Sequence, residues 1–383
     1  MKILYVHHKN ILELTANNIQ VLNMCNAFSR LGHEVHLLIP KYIELEATVE
    51  GISNIVRLDE KIKISLYRQY KVKGIFLSTL LSLKILSLNN ENHKLFKSFE
   101  LIFTRHITSY LVFRKLAAQI IFEIHNNYFF KTKLINDFFI KELNKKKYNN
   151  KTVIICISHR LKEFWTEKLS IKKIIVSHDG FDEESFRTKI GKNEARKLLS
   201  LPLDKNIATY VGSMRPDREI ENIIQIAKSC PEFLFLLIGG PDKYVDIHRS
   251  SVQSLEIENI KFIGIIPNSE VPKYLYSSDV LLALWSDKVP TINFCSPLKI
   301  FEYMASGTIT IAHSYPTIKE VYKNGHNSIL VAPNDNQEVI DALKQYITMD
   351  STKKSNIRKN AINEAFSYYT WSNRVKTILN SLN

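Results

Sequence analysis

The sequence predicts two α/β domains, each built on a doubly wound parallel sheet, facing each other across a cleft. Three observations carry this. Short apolar runs alternate with helical patterns along nearly the whole chain. The alternation pauses and restarts near residues 187–192. The 383 residues suffice for two domains of ordinary size.

The first half holds seven runs that read as strands: 2–8, 34–40, 62–67, 101–105, 120–125, 153–158 and 174–178. Between the first two, Ile19, Leu22, Phe28 and Leu31 keep helical spacing and Gly32 stops the helix. The second half adds six runs, at 207–212, 233–239, 260–264, 280–285, 308–312 and 328–332. The expected domains are 1–187 and 188–365, with 366–383 a helix returning to the N-terminal domain. Residues 141–151 are basic and Asn-rich and read as a solvated helix end and loop.

Apolar residues make up 45% and charged residues 23%, the balance of a globular protein. The net charge of +14 is uneven. Residues 1–187 hold 29 Lys/Arg against 18 Asp/Glu, or +11; the remainder hold 23 against 20, or +3. A basic half suits a polyanionic partner, an anionic membrane surface or nucleic acid, and equally suits simple solubility. Arg68, Lys71 and Lys73 precede an apolar stretch at 75–86, which reads either as a crossover helix of the sheet or as a segment that touches membrane. Cys25, Cys156, Cys230 and Cys295 form no Cys-x-x-Cys pair, so neither a disulfide framework nor zinc is expected, and a reducing cytosol is the default compartment. The first residues turn polar by His7 and read as a strand, not a signal peptide. No uncharged run approaches the roughly 20 residues of a membrane span.

The most informative stretch is SPLKIFEYMASG, residues 296–307. Ser296 suits an N-cap, Pro297 the first helical position, and Gly307 the left-handed C-terminus. Lys299 opposes the helix dipole in the first turn, a conflict that a bound anion would resolve. Glu302 lies three residues on and could accept hydrogen bonds from sugar hydroxyls. The alternative is an ordinary i,i+3 pair of Lys299 with Glu302. Strand patterns on both sides put the preceding loop at the carboxyl edge of a parallel sheet, where ligands bind.

In order and spacing these segments resemble the family 4 glycosyltransferases, retaining enzymes of the GT-B fold. The segments are YVGSMRPDR at 210–218, FLLIGG at 235–240, IKFIG at 260–264, EVPKYLYSSD at 270–279, the 296–307 helix, IKEVYKNG at 318–325 and LVAPND at 330–335. FEIH at 122–125 and SHDGFD at 177–182 match in the first half, and Trp371 with the helix after it resembles the family's returning segment.

The resemblance implies a donor site built from Gly212, Ser213, Arg218, Ser296, Leu298, Lys299 and Glu302. Arg218 would grip the donor diphosphate, with Arg215 a second candidate; its charge and fork geometry suit phosphate. Glu302 matches the second glutamate of a paired motif that holds the ribose. Lys299 and the helix start would neutralise charge on the leaving diphosphate. His125 matches a residue near the transferred sugar; otherwise it is a structural histidine ending a strand. His125, Arg218 and Lys299 are thus the catalytic candidates, and no metal or cofactor is expected. The substrate would be a UDP- or GDP-linked sugar, and the acceptor a hydroxyl of a glycan, glycolipid or lipid-linked molecule in bacterial surface polysaccharide assembly. The expected place is the cytoplasm, peripheral on the inner face of its membrane.

Three departures stand out. Phe294 replaces the family's first glutamate, leaving Asn293 or Asp287 to substitute. Thr15-Ala-Asn-Asn18 stands where the first glycine loop is expected. Ser213 stands where a basic residue often follows Gly212. Other functions fare less well. A nicotinamide dehydrogenase needs a Gly-x-Gly-x-x-Gly turn that the chain lacks. A nucleic-acid-binding protein, or another basic polyanion binder, would rest on charge alone. A sugar-nucleotide epimerase or hydrolase on the same fold is separable only by its products.

Overall fold

Continuous apolar runs with Val, Ile and Phe favour strands buried on both faces, and parallel sheets provide that burial. In the computed structural model all thirteen predicted runs form strands. The structure describes every residue except 71, 73, 74 and 383, so Lys71 and Lys73 lie outside the described residues. The chain divides into two compact units. Unit 1 comprises Met1–Asp179 with Trp371–Asn383, and unit 2 is Gly180–Thr370.

Unit 1 carries β1 (Lys2–Val6), β2 (Glu34–Pro40), β3 (Lys63–Tyr67), β4 (Leu101–Thr104), β5 (Gln119–Ile124), β6 (Thr152–Cys156) and β7 (Ile174–Val176). They pair in parallel in the order β3-β2-β1-β4-β5-β6-β7. The order reverses between β1 and β4, which makes that crevice the topological switch point. Unit 2 carries β8 (Asn206–Val211), β9 (Phe233–Ile238), β10 (Ile260–Gly264), β11 (Val280–Ala283), β12 (Ile309–His313) and β13 (Ile329–Val331). Their order is β10-β9-β8-β11-β12-β13, again parallel, with the switch point between β8 and β11.

Several strands stop one or two residues short of the predicted runs. His125, Gly212, Gly239 and Trp285 thereby fall in the loops at the carboxyl edges. The departing chain must turn there, and its side chains become available to ligands. The units meet at Asp179/Gly180 and Thr370/Trp371, whereas the pattern break in sequence lies near 187 and the expected final segment begins at 366. Phe181 and Phe186 explain the earlier boundary, because both are buried in the core of unit 2. The helix Trp371–Asn380 packs on the helix Ala16–Arg30 of unit 1.

Thr15-Ala-Asn-Asn18 acts as a helix start in place of a glycine loop. The Thr15 side chain caps the helix Ala16–Arg30 by accepting from the Asn18 amide. Asn18 then orders the loop before it, donating to the carbonyls of Asn10 and Glu13 and meeting His7 Nε2 at 3.0 Å. In unit 2, Asp279 is a structural staple, accepting from Lys192, from Arg196 and from the Ile207 amide. Among the described residues no helix is long and apolar enough to cross a membrane.

Candidate functional site

The switch point of unit 2 is built from backbone that must approach closely. A Cβ on Gly239 would lie 1.8 Å from the Gly212 carbonyl oxygen, so the loops after β8 and β9 touch through glycine. The Gly212 amide donates to Ile238 O, and the Met214 amide to Gly240 O. A Cβ on Gly212 would lie 3.3 Å from Lys299 Nζ, which puts the lysine directly over this backbone.

Lys299 projects from the helix Leu298–Ser306, which connects β11 to β12. The helix begins one residue later than expected. Pro297 occupies the N-cap, and Ser296 sits before it, buried, which corrects the N-cap assignment of Ser296. The ring of Pro297 fixes its φ at −72°, its ψ is extended, and it supplies no side-chain acceptor to the first turn. Gly307 closes the helix at φ 69°, as its left-handed preference requires. Tyr303, one turn beyond Lys299, accepts the Val211 amide on its hydroxyl, and Tyr322 donates to Ile300 O. The helix start is thus fixed against the end of β8.

The ammonium of Lys299 sits 4.1 Å from the Tyr210 ring centroid and 4.8 Å from that of Trp285. Two strand ends on either side of the switch point thus supply aromatic faces for one cation. Burial, and then the charge of Arg218, lowers the Lys299 pKa to about 7. Arg218 lies in the turn Pro216–Arg218 ahead of the helix Ile220–Ser229, three-quarters buried, with Asp217 at 4.0 Å. Ser213 accepts the Tyr210 hydroxyl on its carbonyl, and its own hydroxyl accepts the Arg215 amide. Gly212, Ser213, Arg218 and Lys299 therefore converge. No Lys299–Glu302 ion pair forms among the described residues.

Glu302 lies one turn further along the helix. Burial, and then Asp182, raises its carboxyl pKa to about 7. Raised this far, the group carries its proton below about pH 7. Glu302→Gln is therefore expected to keep the fold, with a thermal midpoint near that of the wild type at pH 5 and above it at pH 8. It should remove the loss of stability that the raised carboxyl imposes as pH rises from its ordinary value of 4.5 to about 7. Thermal unfolding at pH 5 and pH 8 checks this; an unchanged pH dependence would remove the buried protonated carboxyl. Leu298 is half-buried at the first helical position. Asp287 already accepts from Tyr315 and Asn334, so its carboxylate braces the loop after β11. Lys288 in the same loop pairs with Glu219 at 2.8 Å. Phe294 is half-buried and Asn293 is exposed.

In unit 1, His125 follows β5 and belongs to a buried polar network. Glu123 and His125 share one face of the strand by its two-residue period. His125 Nε2 meets Glu123 Oε1 at 2.5 Å. Gln20 donates to the same oxygen, and Arg374 donates to Glu123 Oε2 at 2.8 Å. Arg105 lies 3.5 Å from Glu123, and Gln20 bridges to Asp179. Burial opposes ionisation of Glu123, yet Arg374, His125 and Arg105 outweigh it and hold its carboxyl well below the usual range. Burial, and then Arg105, lowers His125 to about 4, so its ring is neutral near pH 7. With an ionised carboxylate on Nε2, the proton belongs on Nε2, and Nδ1 is left as an acceptor. At the unit 1 switch point His8 and His106 stack with centroids 3.7 Å apart.

Sequence reasoning did not select Tyr210, Trp285, Gly239, Glu123 or Arg374. Two left a signal. Glu123 is a charge inside the apolar run IIFEI, and Arg374 is a charge within the spacing of Trp371, Val375 and Ile378. A buried charge at an apolar position implies a partner. The aromatic clamp left none, since aromatic residues at strand ends are ordinary core candidates.

Comparison with known proteins agrees with this architecture. The model for "Glycosyltransferase Family 4" matches residues 18–185, and that for "Glycosyl transferases group 1" matches residues 191–364. The chain belongs to the family 4 glycosyltransferases of the group 1 type. A solved glycosyltransferase from Rickettsia africae superposes with a TM-score of 0.77 at 14% identity, covering 100% of this chain and 97% of that one. Anabaena Alr3699/HepE, solved with UDP and glucose, gives 0.74 at 16%, covering 100% and 99%. These likenesses show the GT-B fold. Among curated relatives, the teichuronic acid biosynthesis glycosyltransferase TuaC of Bacillus subtilis is 26% identical over 53% of this chain and 48% of its own length. D-inositol 3-phosphate glycosyltransferase of Mycobacterium leprae is 22% identical over 55% and 48%. The chain spans about half the length of the curated relatives it matches.

Proposed function

We propose that this chain transfers a sugar from a nucleoside diphosphate donor to an acceptor hydroxyl with retention of configuration. The observation that carries the reading is Lys299, held between Tyr210 and Trp285 at the unit 2 switch point, over the Gly212 backbone. A diphosphate placed there meets Lys299, Arg218 and the start of the 298–306 helix. All three favour charge developing on the departing phosphate. They supply the positive charge that a divalent ion would otherwise bring. Glu302, further along the helix, would meet the ribose hydroxyls, as the family resemblance implies. A UDP complex of the HepE neighbour supports a uridine or related donor. The family resemblance supports a sugar-binding role for His125, for which Nδ1 offers a hydrogen-bond acceptor. Family membership and the TuaC relative support an acceptor that is a glycan or lipid-linked intermediate of a bacterial surface polysaccharide.

The test is NMR of the first product formed with a panel of UDP- and GDP-sugars in excess chelator. The expected result is a glycoside of unchanged anomeric configuration, formed without added metal. An inverted product, or turnover lost to chelator and restored by manganese or magnesium, overturns the corresponding part. Free or epimerised sugar in place of a glycoside would identify a hydrolase or epimerase instead.

A further inference from the structure

The helix Ile75–Leu88, which follows β3 in unit 1, buries most of its hydroxyl side chains and exposes several of its aliphatic ones. Its serines and threonine face inward: Ser78, Thr79, Ser82 and Ser87 are buried. Ser78 accepts the Val72 amide and donates to Val72 O, and Ser82 accepts the Tyr70 amide. These hydroxyls satisfy the backbone of the incoming segment, a buried demand that leucine could not meet. Leu83 is buried with them, and four other aliphatic side chains are left outside. Leu77, Leu81, Ile85 and Leu88 are 51%, 38%, 40% and 69% exposed. Their spacing of four, four and three residues lines one face over about 16 Å of helix.

The charge around this stripe has one sign. Residues 68–98 contain Arg68, Lys71, Lys73, Lys84, Lys94 and Lys97 against Glu91 alone, six minus one, or +5. Of the described ones, Arg68, Lys84, Lys94 and Lys97 are exposed. An exposed aliphatic stripe with Lys84 on its own helix, in a segment of net positive charge, complements a surface with an apolar interior and anionic headgroups.

We propose that the 75–88 helix docks unit 1 onto an anionic lipid bilayer, with Leu77, Leu81, Ile85 and Leu88 entering the interface and Lys84 contacting headgroups. The helix has 14 residues, so it lies in the interface and does not span. The serine face holds the helix to the backbone of Tyr70 and Val72 while the leucine face is in lipid. Docking needs no donor or acceptor, so it stands or falls independently of the glycosyl-transfer reading.

The experiment is flotation of the full chain with phosphatidylcholine vesicles and with vesicles carrying increasing phosphatidylglycerol. The wild type is expected to float with anionic vesicles, more weakly as salt rises, because headgroup attraction is screened. A Leu77→Ser, Leu81→Ser, Ile85→Ser variant is expected to bind at least about tenfold more weakly, since each change removes interfacial apolar area. Its circular dichroism should stay native and its thermal midpoint fall only modestly, because these side chains are 38–51% exposed. Lys84→Gln should weaken binding to anionic vesicles while leaving weak binding to neutral ones unaltered. A wild type that stays unbound on strongly anionic vesicles at low salt overturns the proposal. So does a triple variant that binds like the wild type. A dimer in light scattering that the triple variant dissolves, without vesicle binding, would assign the stripe to a second copy of the chain and overturn it as well.

Discussion

Arg374→Ala is expected to destabilise unit 1 by about 3–5 kcal/mol, the scale for removing one partner of a buried ion pair. The guanidinium is 1% exposed and donates to Glu123, to His178 O and to Ser177 O. Alanine would leave Glu123 fully buried with less compensation and two carbonyls without their donor. The pH dependence has a definite sign. In the wild type the lowered carboxyl of Glu123 contributes stability above its ordinary value of 4.5, lost as pH falls below it. Without Arg374 only His125 and Arg105 remain to oppose burial, so the variant should lose less stability than the wild type as pH falls. Urea unfolding followed by the fluorescence of Trp165 and Trp371, both buried in unit 1, reads the effect. The pair Arg374→Met with Glu123→Gln should cost less than the two single changes summed, since both charges are then gone. A loss below about 1 kcal/mol for Arg374→Ala would mean that the network is not a unit of stability.

Lys299→Met should weaken nucleoside diphosphate binding by about 1.5–3 kcal/mol, the range for a hydrogen bond to a charged group. Methionine keeps the apolar contact with the Tyr210 and Trp285 rings, so the fold should persist. The wild type also carries a proton signature. Its Lys299 pKa is lowered to about 7 from the ordinary 10.5, so stability without ligand rises with pH between those values. A bound diphosphate favours the charged ammonium and raises the pKa again. Donor binding near pH 8 should therefore take up close to one proton, and binding by the methionine variant close to none. Calorimetry in two buffers of different ionisation heat measures this difference. Equal proton uptake in both proteins, or unchanged affinity, would remove Lys299 from the diphosphate site.

The strands were legible because parallel strands buried on both faces need long apolar runs, and few other segments do. Lys299 was legible because a cation in a first helical turn is electrostatically out of place. The start of that helix was not placed to the residue. Ser296 and Pro297 both suit a helix entrance, and tertiary contacts made by Tyr303 and Tyr322 decide between them. Glu123 and Arg374 each show as a charge in an apolar setting, but they are 251 positions apart, and only the sheet and the returning helix join them. The inward serines of the 75–88 helix were hidden for a related reason. They serve the Tyr70 amide and the backbone of Val72, a need that no periodicity announces.

The chain leaves unit 1 after Asp179 and rejoins it at Trp371, so unit 2 is an insert between two parts of unit 1. The two ends of the insert are tied together. The Phe181 amide donates to Tyr369 O at 3.0 Å, and Phe181 bridges Thr370. For unit 1, a folded insert therefore acts as a tight turn and not as a loop of residues 180–370. Loop closure costs about 0.6 kcal/mol per doubling of length, so this shortening spares the last helix roughly 3 kcal/mol of chain entropy. Assembly acquires a preferred order as a result. The continuous insert can fold from its own sequence, whereas unit 1 waits with the 16–30 helix surface bare until residues 371–380 have been synthesised. A chain cut before residue 371 would carry the whole insert on a unit 1 that lacks its returning helix.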